Sequence, residues 1–274
     1  MCPATTAIAI NANGEALLQV GDPALPIVWP TGAGSPRVLE TWSLPAHVYD
    51  LTDSGHIVGA SNAHPSGAGK TRAIEWRPDG SARLLGRLDE TASGPDFAVE
   101  RNESGLVVGQ ARQAGVTRAT VWNTAGIALD AGEALGPTVS SSLLGVNNNG
   151  TAVGQSSRGA IVWTSADGAR YLHDLVDETG MGWTLLVAQS INDDGVIVGQ
   201  GTDPRGRPRG FALVSGGLAC QADLDGDGSL TIFDFLAFQN LFDSGDAMAD
   251  FDGDGSLTIF DFLAFQNAFD AGCG

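Results

Sequence analysis

One pattern recurs five times along residues 1–215, and it constrains the fold more than any other feature of the chain. In each copy a polar cluster precedes a glycine and a short apolar stretch follows it, as in NNNGTAVGQ and NDDGVIVGQ. These glycines lie 41, 50, 45 and 45 residues apart, at Gly14, Gly55, Gly105, Gly150 and Gly195. A polar turn residue, a glycine that tolerates positive φ and a β-branched stretch are together typical of a β-hairpin.

A second landmark follows each hairpin and extends the repeat. It is an apolar segment that ends at Trp29, Trp76, Trp122 and Trp163 in four copies, and the fifth copy has GFAL around Phe211. Another turn and a further strand follow, as in RPDGSARLLG. Four strands in about 45 residues form one blade of a propeller. We therefore expect a mainly β propeller of about five four-stranded blades, with the recurring Trp side chains in its core.

The way in which such a ring closes is open. The fifth copy stops after its third strand, at residues 212–214. The residues before Ile8 are candidates for the missing strand, which would close the ring. An incomplete chain and two stacked open sheets are the alternatives.

Residues 7–215 resemble the HAF-type extracellular repeats, which join a segment I-N-x-x-G-x-V-V-G to a segment A-F-x-W. The resemblance is closest in the last three copies, because Thr52 replaces the asparagine of the second copy and Leu18 replaces the second glycine of the first. It implies a propeller-like architecture and a secreted or cell-surface location in bacteria. The family carries no established catalytic motif.

The composition changes near residue 220. The chain has 14 Lys and Arg against 32 Asp and Glu, a net charge of −18, and residues 220–274 hold 11 Asp with no Glu, Lys, Arg or His. We therefore expect a β domain over 1–215, a linker over 216–219 and a separate domain over 220–274. The net charge excludes nucleic acid and anionic membrane surfaces as partners. No segment reaches the roughly 20 apolar residues of a membrane span.

Residues 223–243 recur as residues 250–270, with 19 of 21 positions identical. Each copy contains D-x-D-G-D-G-x-x-T-x-x-D, the ligand spacing of an EF-hand-like calcium loop. The predicted ligands of two calcium ions are Asp223, Asp225, Asp227, Ser229, Thr231 and Asp234 in the first loop, and Asp250, Asp252, Asp254, Ser256, Thr258 and Asp261 in the second. The serines would bind through their carbonyl oxygens, the threonines through a water, and the last Asp of each loop through both oxygens.

An apolar segment, FDFLAFQN, follows each loop and predicts a helix. Residues 220–222 leave no room for a helix before the first loop. A loop and an exit helix in two copies, with Asp at the last ligand position, resemble a dockerin, and the bracket C-x-A-D-L-D-G-D-G … F-D-A-G-C resembles the GC-type dockerins. The resemblance covers residues 220–273 and implies calcium-dependent docking to a cohesin-like or other surface or scaffold protein.

The chain departs from ordinary dockerins at loop positions 10 and 11. Small hydroxylated residues often contact cohesin there, whereas this chain has Ile232, Phe233, Ile259 and Phe260. The partner can therefore differ from an ordinary cohesin. If the two Phe side chains are exposed, they are candidate anchors for an apolar groove of the partner; the alternative is that they pack in the core of the module.

The chain has three cysteines, Cys2, Cys220 and Cys273. Cys220 and Cys273 lie just outside the duplicated block, where the two ends of a symmetric module are expected to meet, and we predict a disulfide between them. Such a bridge needs an oxidising compartment. The N-terminus lacks the basic region of a signal peptide and Cys2 has no predicted partner, so we expect that the sequence is truncated or that its start is misassigned.

The sequence contains no nucleophile elbow, P-loop or zinc-site spacing, so no catalytic residue is predicted. Trp42 and Trp183 lie outside the recurring Trp position and are the candidate glycan-binding residues. We expect a secreted, non-catalytic protein in which a calcium-loaded module anchors a binding propeller. The alternatives are a dockerin-borne polysaccharide hydrolase or lyase, and a lectin-like adhesin.

Overall fold

The computed structural model describes residues 5–21, 25–41, 46–62, 71–176, 180–214, 222–225 and 230–271. The chain divides into two compact units, Met1–Val214 and Ser215–Gly274. The first unit is built of strands and the second of helices, and each is described by itself. Within the described ranges, no helix is long and apolar enough to cross a membrane.

The first three sheets of the β unit are antiparallel meanders of four strands, one for each of the first three repeats. The first sheet comprises β1 (Thr5–Ile10), β2 (Ala16–Val20), β3 (Leu25–Trp29) and β4 (Arg37–Val38). The second comprises β5 (Ala46–Leu51), β6 (Ile57–Asn62), β7 (Thr71–Trp76) and β8 (Ala82–Leu84). The third comprises β9 (Phe97–Arg101), β10 (Val107–Gln113), β11 (Val116–Trp122) and β12 (Ala128–Asp130).

The fourth and fifth repeats share one seven-stranded sheet. Its strands are β13 (Ser141–Val146), β14 (Ala152–Ser156), β15 (Gly159–Thr164), β16 (Gly168–Tyr171), β17 (Thr184–Ile191), β18 (Ile197–Thr202) and β19 (Pro208–Leu213). A pairing of Gln155 with Val187 links β14 to β17. The mainly β prediction is confirmed, but the fifth repeat contributes three strands and joins the fourth sheet. The strands in the described ranges form no closed ring.

The N-terminal strand belongs to the first sheet. It pairs with β2 from Thr5 opposite Val20 to Ile10 opposite Ala16. The structure therefore places residues 5–7 in the first sheet and not in the sheet of the fifth repeat, where the hypothesis put them. Residues 1–4 lie outside the described ranges.

In the last four repeats the second glycine lies opposite a β-bulge. In the fourth repeat the register shifts between Leu143 and Gly145, and a Cβ added to Gly154 would lie 2.0 Å from the carbonyl oxygen of Ser142. The corresponding distances at Gly59, Gly109 and Gly199 are 2.0, 2.0 and 2.1 Å. Only glycine fits, since any side chain would collide with the backbone of the neighbouring strand.

The turns of successive repeats are joined by asparagine side chains. Asn147 accepts a hydrogen bond within its own turn (2.9 Å) and donates one to the carbonyl oxygen of Asn192 in the next repeat (3.0 Å). Asn11 and Asn102 make the same two bonds. Thr52 closes its turn through its hydroxyl, which accepts a backbone N–H, but it has no amide group to reach the next repeat.

A second row of hydrogen bonds runs one residue further along the turns. The backbone N–H of each repeat donates to a side-chain oxygen of the next, in the pairs Ala12–Asp53, Asp53–Glu103, Glu103–Asn148 and Asn148–Asp193 (2.6, 2.6, 3.0 and 2.7 Å). The polar cluster of the repeat therefore connects neighbouring repeats as well as closing a hairpin.

The recurring Trp residues fill the spaces between sheets. Trp76 and Trp122 are fully buried, and their indole N–H groups donate to the carbonyl oxygens of Glu40 and Gly86, in the segments that follow the preceding sheets. The Trp of the fourth repeat is also buried. Trp29 in the first sheet is 48% exposed, so the core prediction is wrong for it. No segment in the described part of the chain covers its indole as the later ones are covered.

The helical unit contains α1 (Ile232–Ser244) and α2 (Ile259–Ala271), with a 3₁₀ turn at Ala247–Ala249 between them. Helix α1 begins at a capping box of Thr231 and Asp234 and ends at Gly245, whose φ is 75°. Such a box satisfies backbone N–H groups that the first turn leaves unpaired, and glycine adopts the left-handed conformation of a helix end without strain.

Phenylalanines form the core of the helical unit. Phe238 and Phe265 are 3% and 1% exposed, and their rings stack with 4.5 Å between centroids. Phe251 packs edge-on against both rings. The two helices therefore pack against each other through these phenylalanines.

Candidate metal centres and docking surface

Three carboxylates of the first predicted loop converge. Asp223, Asp225 and Asp234 each place an oxygen within 4.8 Å of the others. The predicted ligands Asp227 and Ser229 lie outside the described residues. The three described carboxylates can hold a metal ion.

Asp234 is buried at the start of α1 and is held by backbone N–H groups. One oxygen accepts from Leu224 (2.8 Å) and Asp225 (3.2 Å), and the other accepts from Thr231 (2.8 Å). Burial raises the pKa of Asp234, but the hydrogen bonds from these three amides outweigh it, and the pKa lies below its ordinary value. The side chain therefore stays ionised and ties the beginning of the loop to the helix. The oxygen that accepts only from Thr231 has a second lone pair with which it can bind a cation.

The second loop brings together a different set of three carboxylates, those of Asp250, Asp252 and Asp254, whose oxygens lie within 4.8 Å of one another. Asp250 accepts hydrogen bonds from the amides of Gly253 and Gly255 (2.9 Å each). Desolvation, followed by repulsion from the surrounding carboxylates, raises the pKa of Asp252. A bound cation would relieve that repulsion.

Asp261 does not join this group of three, although it corresponds to Asp234 of the first loop. It is buried, and its oxygens accept from the amides of Asp252 (3.3 Å) and Thr258 (2.7 Å). The structure therefore brings together three of the four carboxylates predicted for this loop. Its binding of a cation through both oxygens remains a prediction.

The two threonines at loop position 9 cap the helices. Thr231 accepts a hydrogen bond from Phe233 N (3.1 Å), and Thr258 accepts one from Phe260 N (3.2 Å). Ser256 donates its backbone N–H to Asp254 (2.7 Å). The predicted water-mediated and carbonyl roles of these residues are compatible with these bonds, because neither role uses the same group.

The side-chain atoms that converge in each cluster and could bind a metal ion are all carboxylate oxygens. Oxygen-only sites suit hard cations, among which Ca²⁺ accepts about six to eight ligands in flexible geometry. The sharp reversal of such a loop requires glycine, and Gly253 and Gly255 have φ of 74° and 82°. The described residues of both loops therefore fit calcium.

Beside each carboxylate cluster, an Ile–Phe pair begins the following helix and faces solvent. Ile232 and Phe233 are each 63% exposed, and so are Ile259 and Phe260. Of the two alternatives for these Phe side chains, the structure therefore favours exposure over packing in the core. The equal values show that the two copies present the same apolar surface.

A cavity of about 300 Å³ lies between the two helices. Its lining residues are Phe235, Phe238, Gln239, Phe242, Ile259 and Phe262. It is mostly apolar and shares Ile259 with the exposed pairs. This part of the helical unit therefore offers both a groove and protruding apolar side chains.

The remaining predicted site residues are placed only in part. Trp183 is half-buried and packs against the core formed around Leu172 and Leu185, which leaves less of its ring for a ligand than the prediction assumed. Trp42 and the predicted disulfide partners Cys220 and Cys273 lie outside the described residues.

Two carboxylates of the β unit are notable although no motif marks them. Glu100 and Asp50 occupy the same position in successive repeats, two residues before the start of the turn. Desolvation and then the charge of Asp50 raise the pKa of Glu100 to about 8. Asp50 accepts a hydrogen bond from Arg101 N (3.0 Å), and Glu100 accepts one from Val146 N. The shared repeat position was the one feature of the sequence that could have pointed to this pair. The burial of the two carboxylates became evident only in the fold.

Glu75 is a buried acid of the β unit that is surrounded by basic side chains. It is 2% exposed and contacts His56 (2.9 Å), Arg83 (2.7 Å) and Arg101 (3.2 Å). Desolvation, followed by the charge of Arg101, lowers the pKa of His56. This network compensates a buried charge between the second and third repeats.

Comparisons of the chain with protein-family models and with curated proteins find no match. The function is therefore argued from the loops, the exposed helix starts and the repeats themselves.

Proposed function

We propose that residues 220–274 form a dockerin-like module that binds two calcium ions and then docks the β unit onto a surface or scaffold protein outside the cell. The observation that carries this proposal is the coupling of two features in duplicate. In each copy a carboxylate cluster at calcium-loop spacing leads directly into a helix whose first residues are an exposed Ile–Phe pair.

The proposal that the ion is calcium rests on ligand type and loop length. Both clusters contain only carboxylate oxygens, and the motif adds a serine carbonyl and a glycine at the reversal. These are the ligands and the spacing that calcium loops use. Carboxylates that approach without a cation repel one another, so binding and ordering of the loops are expected to be coupled.

Docking is supported by the apolar residues that the module leaves in solvent. Monomeric proteins rarely expose contiguous apolar surface unless it binds something. Phe233 precedes the buried Asp234, and Phe260 precedes Asp261, so each Phe is adjacent to a residue that ties its loop to its helix. Calcium is therefore expected to set the orientation of the docking residues.

For the β unit we propose an HAF-like, propeller-like binding domain without catalytic activity. Its support is the row of stacked turns and the packing of successive sheets. Closure of the five repeats into a ring stays part of the proposal. An extracellular location rests on the predicted disulfide and on the high calcium outside cells.

The enzyme alternative needs two nearby carboxylates that are available to a substrate. Asp50 and Glu100 are the candidates that the structure provides, since the charge of Asp50 raises the pKa of Glu100. Both accept hydrogen bonds from backbone amides in the next repeat, which gives them a structural role. We therefore prefer the non-catalytic function, and hydrolysis of a polysaccharide that is lost in Glu100→Gln would reverse this preference.

Calcium binding is tested by isothermal titration calorimetry on the full chain. We expect two bound ions, and one ion in a variant that carries Asp250→Asn and Asp252→Asn. Asp243→Asn is the matched control, because it removes an exposed carboxylate of α1 outside the loops. A wild-type chain that binds no calcium would contradict the proposal.

Docking is tested with an immobilised panel of bacterial cohesin domains and with a secretome from the native source. We expect capture in calcium, none with a chelator, and at least tenfold weaker capture for Phe233→Ser combined with Phe260→Ser. Binding that survives chelation, or that the double substitution leaves unchanged, would show that the helix starts are not the docking surface.

A further inference from the structure

A cavity of about 320 Å³ lies in the β unit between the third and fourth sheets. Its eight lining residues are Gln110, Thr117, Ser140, Ser141, Ser142, Gln155, Ser156 and Ser157. Every one of them carries an amide or a hydroxyl group, and none carries a charge. Its volume is at the small end of the range of ligand sites.

The cavity exists because two neighbouring hairpins differ in length. The hairpin of β10 and β11 is paired out to Gln113 and Val116, whereas the hairpin of β14 and β15 is paired out to Ser156 and Gly159. Strand β13, which packs against β10 and β11, begins at Ser141 in the space between them. The longer hairpin therefore forms one wall of the cavity and the shorter hairpin forms another.

Part of the lining is held in place by the protein itself. Ser141 accepts a hydrogen bond from Ala119 N (3.0 Å), and Ser156 donates one to Gly159 O (2.9 Å). Thr117 accepts one from the guanidinium of Arg112 (2.8 Å). These contacts fix the positions of three hydroxyl groups along the walls.

Other lining groups have hydrogen-bonding capacity to spare. Among the described residues, the side chains of Gln110, Gln155 and Ser142 make no hydrogen bond to the protein. Gln155 is exposed, whereas Gln110 is half-buried and Ser142 is 5% exposed, so the groups of Gln110 and Ser142 lie at least partly within the protein. Polar groups at such depth are usually paired with protein, water or ligand.

The repeat places the two amides. Gln110 and Gln155 occupy the same repeat position, directly after the second glycine, and Gln200 occupies it in the fifth repeat. The bulge opposite that glycine fixes the backbone there. The second repeat has Ala60 at this position, so the boundary between the second and third repeats lacks such a pair of amides.

We propose that this cavity binds one unit of a neutral, hydroxyl-rich ligand, an uncharged saccharide chain. Amide and hydroxyl groups both donate and accept, so they can pair with the hydroxyl groups of a sugar in either direction. Among its lining residues, no charged group is present to compensate an ionic ligand, whose desolvation would be costly. This inference does not depend on calcium or on docking, and it differs from the Trp42 and Trp183 sites that the sequence suggested.

The first test follows the side-chain amide signals of the full chain by ¹⁵N NMR while a tetrasaccharide is added. The neutral probes are cellotetraose, xylotetraose and maltotetraose. Tetragalacturonate is the charged comparison. We expect the signals of Gln110 and Gln155 to shift with at least one neutral probe and not with tetragalacturonate. The Gln200 signal should not move. No shift at Gln110 and Gln155 with any neutral probe at millimolar concentration would overturn the proposal.

The second test measures affinity for the neutral probe that shifts the signals. Gln155→Ala should weaken binding by about tenfold, because it removes hydrogen bonds to the ligand. Gln200→Ala is the matched control at the same repeat position outside the cavity, and it should leave the affinity unchanged. Equal losses in both variants, or none in either, would show that the cavity is not the binding site.

Discussion

At the level of single residues, the two glycines that recur in the repeat are required for two different physical reasons. The first glycine adopts positive φ in the turn, as at Gly150 with φ of 82°. The second has no such φ, but it lies under a carbonyl oxygen of the bulged strand, as at Gly154. Both appear in the sequence as the same letter, although one meets a torsional requirement and the other a steric one.

Replacement of the second glycine should be strongly destabilising. In Gly154→Ala the new Cβ would lie 2.0 Å from Ser142 O, so the strands must separate locally. We expect the free energy of unfolding to fall by about 2 kcal/mol or more, measured by urea denaturation of the β unit's transition. Gly210→Ala, whose nearest neighbour is 3.7 Å away, is the control and should change it by less than about 0.5 kcal/mol. Equal effects of the two substitutions would contradict the steric explanation.

Glu100 should make the stability of the β unit depend on pH. Its pKa of about 8 in the folded chain lies above the ordinary value of 4.5. Between these two values the unfolded chain releases the proton while the folded chain retains it, so stability falls as pH rises and levels off above about pH 8. Glu100→Gln should therefore stabilise the unit by about 2 kcal/mol at pH 8 and have little effect at pH 4.

Thermal unfolding across this pH range measures the effect, with Glu90→Gln as an exposed control. A pH profile that is unchanged in Glu100→Gln would show that another group dominates.

At the level of elements, the polar cluster of a repeat connects its turn to the turn of the next repeat. The side chain that closes one turn also donates to the next turn, as Asn147 does to Asn192. Where Thr52 replaces asparagine, that bond is missing, but the second row through Asp53 and Glu103 continues. The connection between neighbouring repeats is therefore redundant, which allows one position to vary.

The asparagine of the fourth repeat is predicted to stabilise two repeats at once. Asn147 is 4% exposed, and Asn147→Ala removes its hydrogen bonds to its own turn and to Asn192. We expect a loss of about 2 kcal/mol in the free energy of unfolding. Asn147→Thr reproduces the residue of the second repeat, which closes its turn through a hydroxyl acceptor but has no donor for the next repeat, and it should cost less than the alanine variant. If the threonine variant is as stable as the wild type, the bond between repeats contributes nothing measurable.

At the level of the whole molecule, the chain combines two units that are stabilised in different ways. The β unit is held by packed Trp, aliphatic and turn contacts, whereas the helical unit has a small Phe core and loops that concentrate negative charge. Eight of the 11 Asp in residues 220–274 belong to the predicted calcium loops. Most of the charge of this unit therefore belongs to predicted metal ligands.

Calcium should stabilise one unit only. With calcium a thousandfold above its Kd, each site contributes about 4 kcal/mol to the stability of the helical unit. Differential scanning calorimetry of the full chain should therefore show a transition for residues 215–274 that moves to lower temperature with chelator, and a transition for the β unit that does not move. A helical-unit transition that is insensitive to chelator would contradict the assignment of the loops.

The sequence by itself determined the features that depend on local spacing: five repeats with hairpin turns, two loops of calcium type and a helix after each. These follow from torsional preference and from ligand order along the chain, which need no distant contact. Only the tertiary structure decided the features that depend on neighbours. The fifth repeat joins the fourth sheet, and the N-terminal strand pairs in the first sheet.

The tertiary structure also decided what surrounds particular side chains. Trp29 and Trp76 share one repeat position, yet one is 48% exposed and the other is fully buried. Phe233 and Phe238 lie on one helix, but Phe233 is 63% exposed whereas Phe238 stacks on Phe265. Gln155 became part of a cavity because an adjacent hairpin is longer than its own. A repeated sequence specifies the same local conformation in each copy, whereas burial depends on which element packs next to it.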